Sequence, residues 1–321
     1  MGCCTKTAIK NIEITTMTAR EYVTLVTDNA AVDAYILGKD DAALAFSTGE
    51  GIPLGQIAAI ADGVKDVPLL TTPGLGFAGA PTNAQIKGGI DVKEQVLSVG
   101  GFVSKHPAFH GFAEFYHRCT ERGIQIIITD KDGVIVDGDT KYGREFQELI
   151  AQRGPRVLVL TGSSAGQNFY PEKPGKSSFM QMYGLDEVLA ENGAVHVFRH
   201  GDGYRTVNYS YTLQPDLLAI LKGPFEKQVR RKLPEILVHY SLRLSEDYGD
   251  QNGAVFIPPV GSQWEKVAMF SINVPRKTAD GSLEYRKLPE AERFRQDVLS
   301  LMIETASDIG MSYRAPQRES F

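Results

Sequence analysis

The chain has 321 residues but only three cysteines, Cys3, Cys4 and Cys119. Three thiols cannot build a disulfide framework, and no secretory apolar segment opens the chain, so a reducing, cytoplasmic setting is expected. Long apolar runs are missing as well. The longest, such as residues 57–61 and 217–221, fall far below the ~20 residues of a membrane span. Positive charge is not in excess: 34 Lys plus Arg stand against 39 Asp plus Glu, a net charge of −5. A nucleic-acid partner normally shows as a basic patch, so none is expected. Internal repeats and low-complexity tracts are absent, and there is a single tryptophan, Trp264. What is present is ordinary globular composition, 42% apolar and 23% charged, with length for about two domains. Met1-Gly2-Cys3-Cys4 offers a glycine and thiols for lipid attachment, but Lys6 stands where that motif wants Ser or Thr. An unmodified start is the expectation.

Patterning divides the chain in two. From residue 17 to 192, apolar runs alternate with helical stretches. Thr18 and Glu21 have the spacing of a capping box and so mark a helix start. Residues 40–46 are Ala-rich and helical, 56–61 form an apolar run, and 112–122 form a helix closed by Gly123. Residues 124–129 and 157–160 are continuous apolar strands with a helix over 142–152 between them. Such alternation marks a parallel sheet covered on both faces. From 193 to 321 the texture changes. Strands over 195–198 and 206–209 flank a Gly-Asp-Gly turn, 217–238 is helical with a break at Gly223-Pro224, strands follow at 254–257 and 268–274, and a helix covers 288–309. That is a mixed α+β layer, expected as a second domain.

The chemistry concentrates at strand ends. Residues 124–129 run straight into Asp130-Lys131-Asp132-Gly133-Val134. In open α/β sheets ligands lie beyond the carboxyl ends of the strands, so Asp130 is placed in a cleft. A carboxylate there can attack phosphorus. An anionic phosphate repels it unless a hard cation neutralises the site. Asp132 is near enough to serve a leaving oxygen, although acidic turns also serve simply to cap helices. The next strand ends in Thr161-Gly162-Ser163-Ser164, where a hydroxyl and a free backbone N–H can hold a phosphoryl oxygen. Glu191-Asn192-Gly193-Ala194 closes the region.

These motifs resemble those of the haloacid dehalogenase superfamily of phosphohydrolases. Asp130-Lys131-Asp132-Gly133-Val134 is similar to its first motif and Leu160-Thr161-Gly162 to its second. Glu191-Asn192-Gly193-Ala194 looks like the turn that leads to a large α+β cap. The family's lysine and final acidic motif normally come last. Here they resemble segments at the front: Gly38-Lys39-Asp40-Asp41-Ala42-Ala43-Leu44, then Ala61-Asp62-Gly63-Val64-Lys65-Asp66-Val67-Pro68, with Phe77–Gln85 following as residues 77–85. The order third, fourth, first, second, cap is a circular permutation, which is cheap because domain termini often lie close together. The resemblance implies a Rossmann-like parallel-sheet core over 17–192 and a cap over 193–321, with residues 1–16 as a candidate cap strand through 8–14. Lys65 replaces a usual Asn, Ala61 a usual Gly, and Lys131 a usual apolar residue.

What the resemblance implies for function is a Mg²⁺-dependent phosphohydrolase acting on a small phosphorylated metabolite, a sugar or polyol phosphate. Asp130 is the expected nucleophile and Asp132 the general acid and base. Asp130, Asp132 (through its carbonyl), Asp62 and Asp66 form the expected metal set, and Thr161 and Lys39 hold phosphoryl oxygens. Gly162, Ser163, Lys65, Arg199 and Arg276 are weaker candidates for substrate contact. Trp264 could stack on a sugar, although strand aromatics usually serve the core. Two alternatives stand beside this one: a phosphosugar mutase of the phosphomannomutase type, and a non-catalytic sensor of a phosphorylated ligand.

Overall fold

The computed structural model describes residues 22–27, 31–137, 140–171, 175–201, 203–208, 214–245, 247, 254–275 and 289–314. The protein is a mixed α/β fold with a largely parallel eight-stranded sheet and a second, mixed sheet of six strands. In chain order the main elements are β1 (Val23–Thr27), β2 (Ala31–Tyr35), α1 (Lys39–Glu50), β3 (Ile57–Ile60), α2 (Val67–Leu70), β4 (Phe77–Ala80), α3 (Val92–Ser98) and β5 (Phe102–Val103). Next come α4 (Ala108–Glu121), β6 (Ile126–Thr129), α5 (Gly143–Ile150), β7 (Arg156–Leu160), α6 (Ala165–Phe169), α7 (Phe179–Tyr183), β8 (Glu187–Ala190), β9 (Val195–His200) and β10 (Gly203–Asn208). The last third holds α8 (Pro215–Ile220), α9 (Glu226–His239), β11 (Arg243–Ser245), β12 (Ala254–Phe256), β13 (Met269–Asn273), α10 (Pro289–Asp308) and β14 (Tyr313–Arg314).

The larger sheet runs β10-β9-β8-β7-β6-β3-β4-β5. From β8 to β5 all neighbours are parallel, and the β9–β10 hairpin adds an antiparallel margin. Both faces are covered, which is why these strands read as unbroken apolar runs. Ile57, Ala59, Ile126 and Ile128 pack with Ala42, Phe46, Leu70 and Val96 of α1, α2 and α3. Ala58, Ile60, Ile127 and Val159 pack on the other face with Phe112, Phe115, Phe146 and Tyr183 of α4, α5 and α7. Each large apolar side chain fully buried here contributes about 1.5–3 kcal/mol relative to exposure.

The smaller sheet runs β11-β12-β13-β2-β1-β14. Val32, Ala34, Phe270 and Ile272 form its apolar face, packed against Phe225 and Val229 near the start of α9 and against Phe294, Val298 and Met302 of α10. The expected break at Gly223-Pro224 is instead a wide π turn, Leu221–Phe225, that keeps α8 and α9 continuous. Pro224 has no N–H to give to a regular α turn, and the wider turn absorbs the loss.

The sheets do not divide the chain at residue 193. β1 and β2, assigned to the core by the patterning, belong to the smaller sheet, because Val23, Leu25, Val32 and Ala34 join its apolar cluster. β9 and β10, assigned to the second domain, extend the larger sheet, where Val195 and Val197 are buried. The helix start at Thr18–Glu21 and the strand over 8–14 lie outside the described residues. The residues just after that helix start, Val23–Thr27, form a β-strand. Among the described residues no helix is long and apolar enough to cross a membrane.

Candidate active site

β6 lies between β3 and β7, with Thr129 paired to Ile60 on one side and Val159 on the other. All three strands run the same way. Ala61-Asp62, Asp130 and Thr161 therefore leave the sheet along one edge, although Asp62 and Asp130 are far apart in the chain. The Asp130 N–H donates to the Ile60 carbonyl at 2.9 Å, which fixes where its side chain starts. Asp62, Asp66 and Asp130 each offer a carboxylate oxygen, all within 4.8 Å of one another.

Lys39 enters this cluster from the first turn of α1. Its Nζ lies 2.7 Å from Asp130 Oδ1 and 2.7 Å from Asp66 Oδ1, and all three side chains are buried. A cation at a helix N-terminus opposes the helix dipole. Asp40 and Asp41 in the same turn offset that, and Asp41 accepts a hydrogen bond from the Gly38 N–H at 3.2 Å. Asp66 is carried by the short turn Val64–Asp66, directly ahead of α2.

Burial and charge set the protonation of the group. Burial alone would lower the Lys39 pKa, but Asp130 and Asp66 outweigh it and raise it, so the ammonium stays charged. Burial pushes Asp130 up, yet Lys39, with Lys65 behind it, holds the carboxyl below its usual range. At Asp66 burial wins over Lys39 and the pKa is raised. Asp62 is pushed up to about 8 by burial and by the charges of Asp130 and Asp66. One lysine is thus shared between two carboxylates, and the third is left with little compensation.

Gly133 makes the cluster possible. Its φ is +80°, and a Cβ there would sit 2.1 Å from Asp62 Oδ2. Asn83 holds the same turn: its Nδ2 donates to the Gly133 carbonyl at 2.9 Å, and its Oδ1 accepts from the Ala108 N–H at 2.7 Å. Asp132 lies outside the carboxylate cluster. Its side chain is 74% exposed, with Lys131 Nζ at 3.9 Å. Thr161 is buried, and its Oγ1 accepts from the Ser163 N–H at 3.2 Å. Lys131 Nζ donates to Ser163 Oγ at 2.9 Å and lies 5.1 Å from the centre of the Phe179 ring. A second cation therefore stands beside the Thr161 loop. Gly162 in that loop lies near Asn192 Oδ1. Lys65 is exposed, and its charge reaches Asp62, Asp66 and Asp130.

Arg199 is not part of this site. It lies on β9 beyond the Glu187–Phe198 pair, at the end of the sheet opposite Asp130, and faces Asp186 at 3.8 Å. The reversal of the chain at Gly193 carries β9 away from the edge, which linear patterning does not reveal. Arg276 lies outside the described residues. Sequence reasoning missed Lys131 as a site cation and Asn83 as a brace. It also missed β2, whose end carries Tyr35. Burial and then Asp33 keep the Tyr35 hydroxyl protonated, and the charges of Lys65 and Asp66 also reach it. The alternating Ala31-Val32-Asp33-Ala34-Tyr35 pattern is the signal that marks this strand.

The donor set can be tested for a hard divalent cation on its own atoms. Neither oxygen of Asp66 accepts a well-aligned hydrogen bond although the residue is fully buried, and Lys39 is its ion partner. Three carboxylates gather around one buried ammonium that pairs with two of them, an excess of negative charge that costs energy out of water. All-oxygen donors with that charge fit Mg²⁺ rather than a soft metal. Comparison with protein-family models, with curated proteins and with solved structures finds no match for this chain.

Proposed function

We propose that the protein is a Mg²⁺-dependent phosphohydrolase of the haloacid dehalogenase type, with a permuted order of motifs, acting on a small phosphorylated metabolite such as a sugar or polyol phosphate. One observation carries the reading. Four groups that the motif resemblance picks out from two distant segments, Lys39, Asp62, Asp66 and Asp130, meet within one cluster at one sheet edge. A separate amino-terminal domain with an unrelated acidic turn would not bring them together. In this reading the smaller sheet with its helices would serve as the cap.

In this reading Asp62, Asp66, Asp130 and the carbonyl of Asp132 would hold the metal, which supplies charge neutralisation for the incoming phosphate. Asp130 is buried and ionised, so its Oδ attacks phosphorus as the bond to the leaving oxygen breaks, giving an aspartyl phosphate. Asp132, whose side chain is largely exposed, gives its proton to the leaving alkoxide. It then takes a proton from the water that attacks phosphorus, and the Asp130–phosphorus bond breaks to release inorganic phosphate. Thr161, Ser163 and Lys131 line the loop that receives phosphoryl oxygens, and Lys39 keeps Asp130 ionised. Positioning and charge are the main demands of phosphoryl transfer.

The test is phosphate release from a panel of sugar and polyol phosphates and nitrophenyl phosphate, with Mg²⁺ and with chelator. Turnover that needs Mg²⁺ and disappears in folded Asp130→Asn is expected. Turnover that survives in Asp130→Asn, or no turnover across the panel, refutes the reading.

A further inference from the structure

The turn after β8 holds a carboxylate that the proposed chemistry does not use. Glu191 and Asn192 have φ of +53° and +58°, and Gly193 follows at +92°. Two consecutive non-glycine residues in the left-handed region persist only where the surroundings over-determine them, and such strain clusters at functional sites. Here the surroundings are two loops of the catalytic edge. The Glu191 N–H donates to the Ser163 carbonyl at 3.0 Å, and the Asn192 N–H donates to the Thr161 carbonyl at 2.9 Å. The backbone that carries Thr161 is thus tied directly to Glu191.

The Glu191 side chain faces the other way, into the segment that leads to β13 of the smaller sheet. Its Oε1 accepts from the Val267 N–H at 3.1 Å and its Oε2 from the Ala268 N–H at 2.7 Å, with Glu191 only 1% exposed. A second anchor lies four residues upstream. Ser164 Oγ donates to the Gln263 carbonyl at 2.9 Å, and a Cβ on Gly166 would stand 2.2 Å from that same oxygen. Residues 263–268 are therefore fastened at both ends to the loops that follow β7 and β8.

We propose that Glu191 is a positioning residue, whose buried carboxyl group seats the 263–268 segment and the smaller sheet behind it against the loop that carries Thr161. Val267 and Ala268 also pack into the two apolar clusters of the larger sheet, whereas the cluster of the smaller sheet is separate from both, so the joint is confined to this segment. Release of the carboxylate would free the segment and slacken the Thr161 loop together.

The protonation of Glu191 gives a handle on this joint. Burial pushes its pKa up to about 7, against the pull of its two N–H donors and of the charges facing it, Lys266 on the segment itself and Lys222 in the π turn. Ionised Glu191 gains more from water than the neutral form does, so the joint opens more readily as pH rises toward that value and levels off above it. Linkage with an ordinary glutamate in the open form gives about a tenfold rise in opening between about pH 6 and 8.

The experiment uses the full chain and needs no turnover, so it stands apart from the phosphohydrolase reading. Trp264, the only tryptophan, lies within the segment, so its emission reports on this part of the chain alone. Its emission and the hydrogen exchange of the Val267 and Ala268 amides are followed against pH, corrected for intrinsic exchange. The expected result is a pH-dependent step of about tenfold in exchange, mirrored in Trp264 emission, in the wild type. Glu191→Gln, which puts a donor against one of the two N–H groups, should show faster exchange and no step. A flat wild-type profile, or a step that persists in folded Glu191→Gln, overturns the proposal. If Glu191→Gln does not fold, Ser164→Ala, which removes the second anchor, replaces it. There the step should remain and the exchange of both amides should rise, and unchanged exchange overturns the proposal.

Discussion

In the proposed reading, Asp62 would couple Mg²⁺ binding to proton release. Its carboxyl is pushed up to about 8 by burial and by the charges of Asp130 and Asp66. At pH 7 a group with that pKa is about nine-tenths protonated. A hard cation takes only the carboxylate, so binding must expel that proton. About 0.9 proton should leave per Mg²⁺ bound at pH 7, falling toward zero above about pH 9, and the apparent affinity should weaken about tenfold for each unit below 8. The stability of the metal-free protein follows the same logic. A raised folded pKa means that the stability present below the ordinary Asp value is lost as pH rises through about 8, and Mg²⁺ restores it. Isothermal calorimetry in buffers of different ionisation enthalpy reads the released proton directly. Binding heat independent of the buffer at pH 7 would refute the argument, as would Mg²⁺ affinity unchanged between about pH 6 and 8. Asp62→Asn removes the titrating group, so its residual binding should release almost no proton.

Three further substitutions probe the rest of the edge. Lys39→Met removes the ammonium shared by Asp130 and Asp66 and should cost about 3–5 kcal/mol in urea unfolding with chelator, less with Mg²⁺, because a buried carboxylate loses its partner. Gly133→Ala forces a Cβ against Asp62 and a side chain at φ of +80°, so a loss of at least about 1–3 kcal/mol and weakened Mg²⁺ binding by calorimetry are expected. Arg199→Ala, at the far end of the sheet, should leave both turnover and Mg²⁺ binding alone and shift urea stability by no more than about 0.5 kcal/mol.

Much of the larger sheet is legible because its strands are buried on both faces. Residues 57–60, 126–128 and 157–160 are continuous apolar runs, and each leads to a polar group at the sheet edge, Asp62, Asp130 or Thr161. That pattern yields both the strand and the place where its chemistry emerges. Lys39 is legible from the helix that follows it, and its ion pairs with Asp130 and Asp66 accord with the motif spacing. Less legible is anything decided by long-range pairing. β1 and β2 place Val23, Leu25, Val32 and Ala34 on one apolar face, and nothing local indicates that their partners are β13 and β14, some 240 residues downstream for β13. The turn at Glu191 to Gly193 reverses the chain into the larger sheet by a left-handed backbone that composition does not encode, and so β9, β10 and Arg199 fall on the unexpected side. Lys131 looks like an intrusion between two aspartates until Ser163 and the Phe179 ring are seen beside it.

The pairing of β2 with β13 sets a clock on biosynthesis. Asp33 and Ser271, opposite each other in that ladder, are separated by 238 positions. At a synthesis rate of about 5–20 residues per second, β2 leaves the ribosome roughly 12–48 seconds before its neighbour exists. The larger sheet needs nothing beyond β10 and can close in that interval. β1 and β2 meanwhile form a two-stranded ribbon with an unpaired edge and one apolar face, too small to be stable alone. Nascent chains halted between the end of β10 and the start of β13 should therefore hold a finished larger sheet with a sticky amino-terminal ribbon beside it, the point in the life of the protein at which holdase chaperones have most to bind.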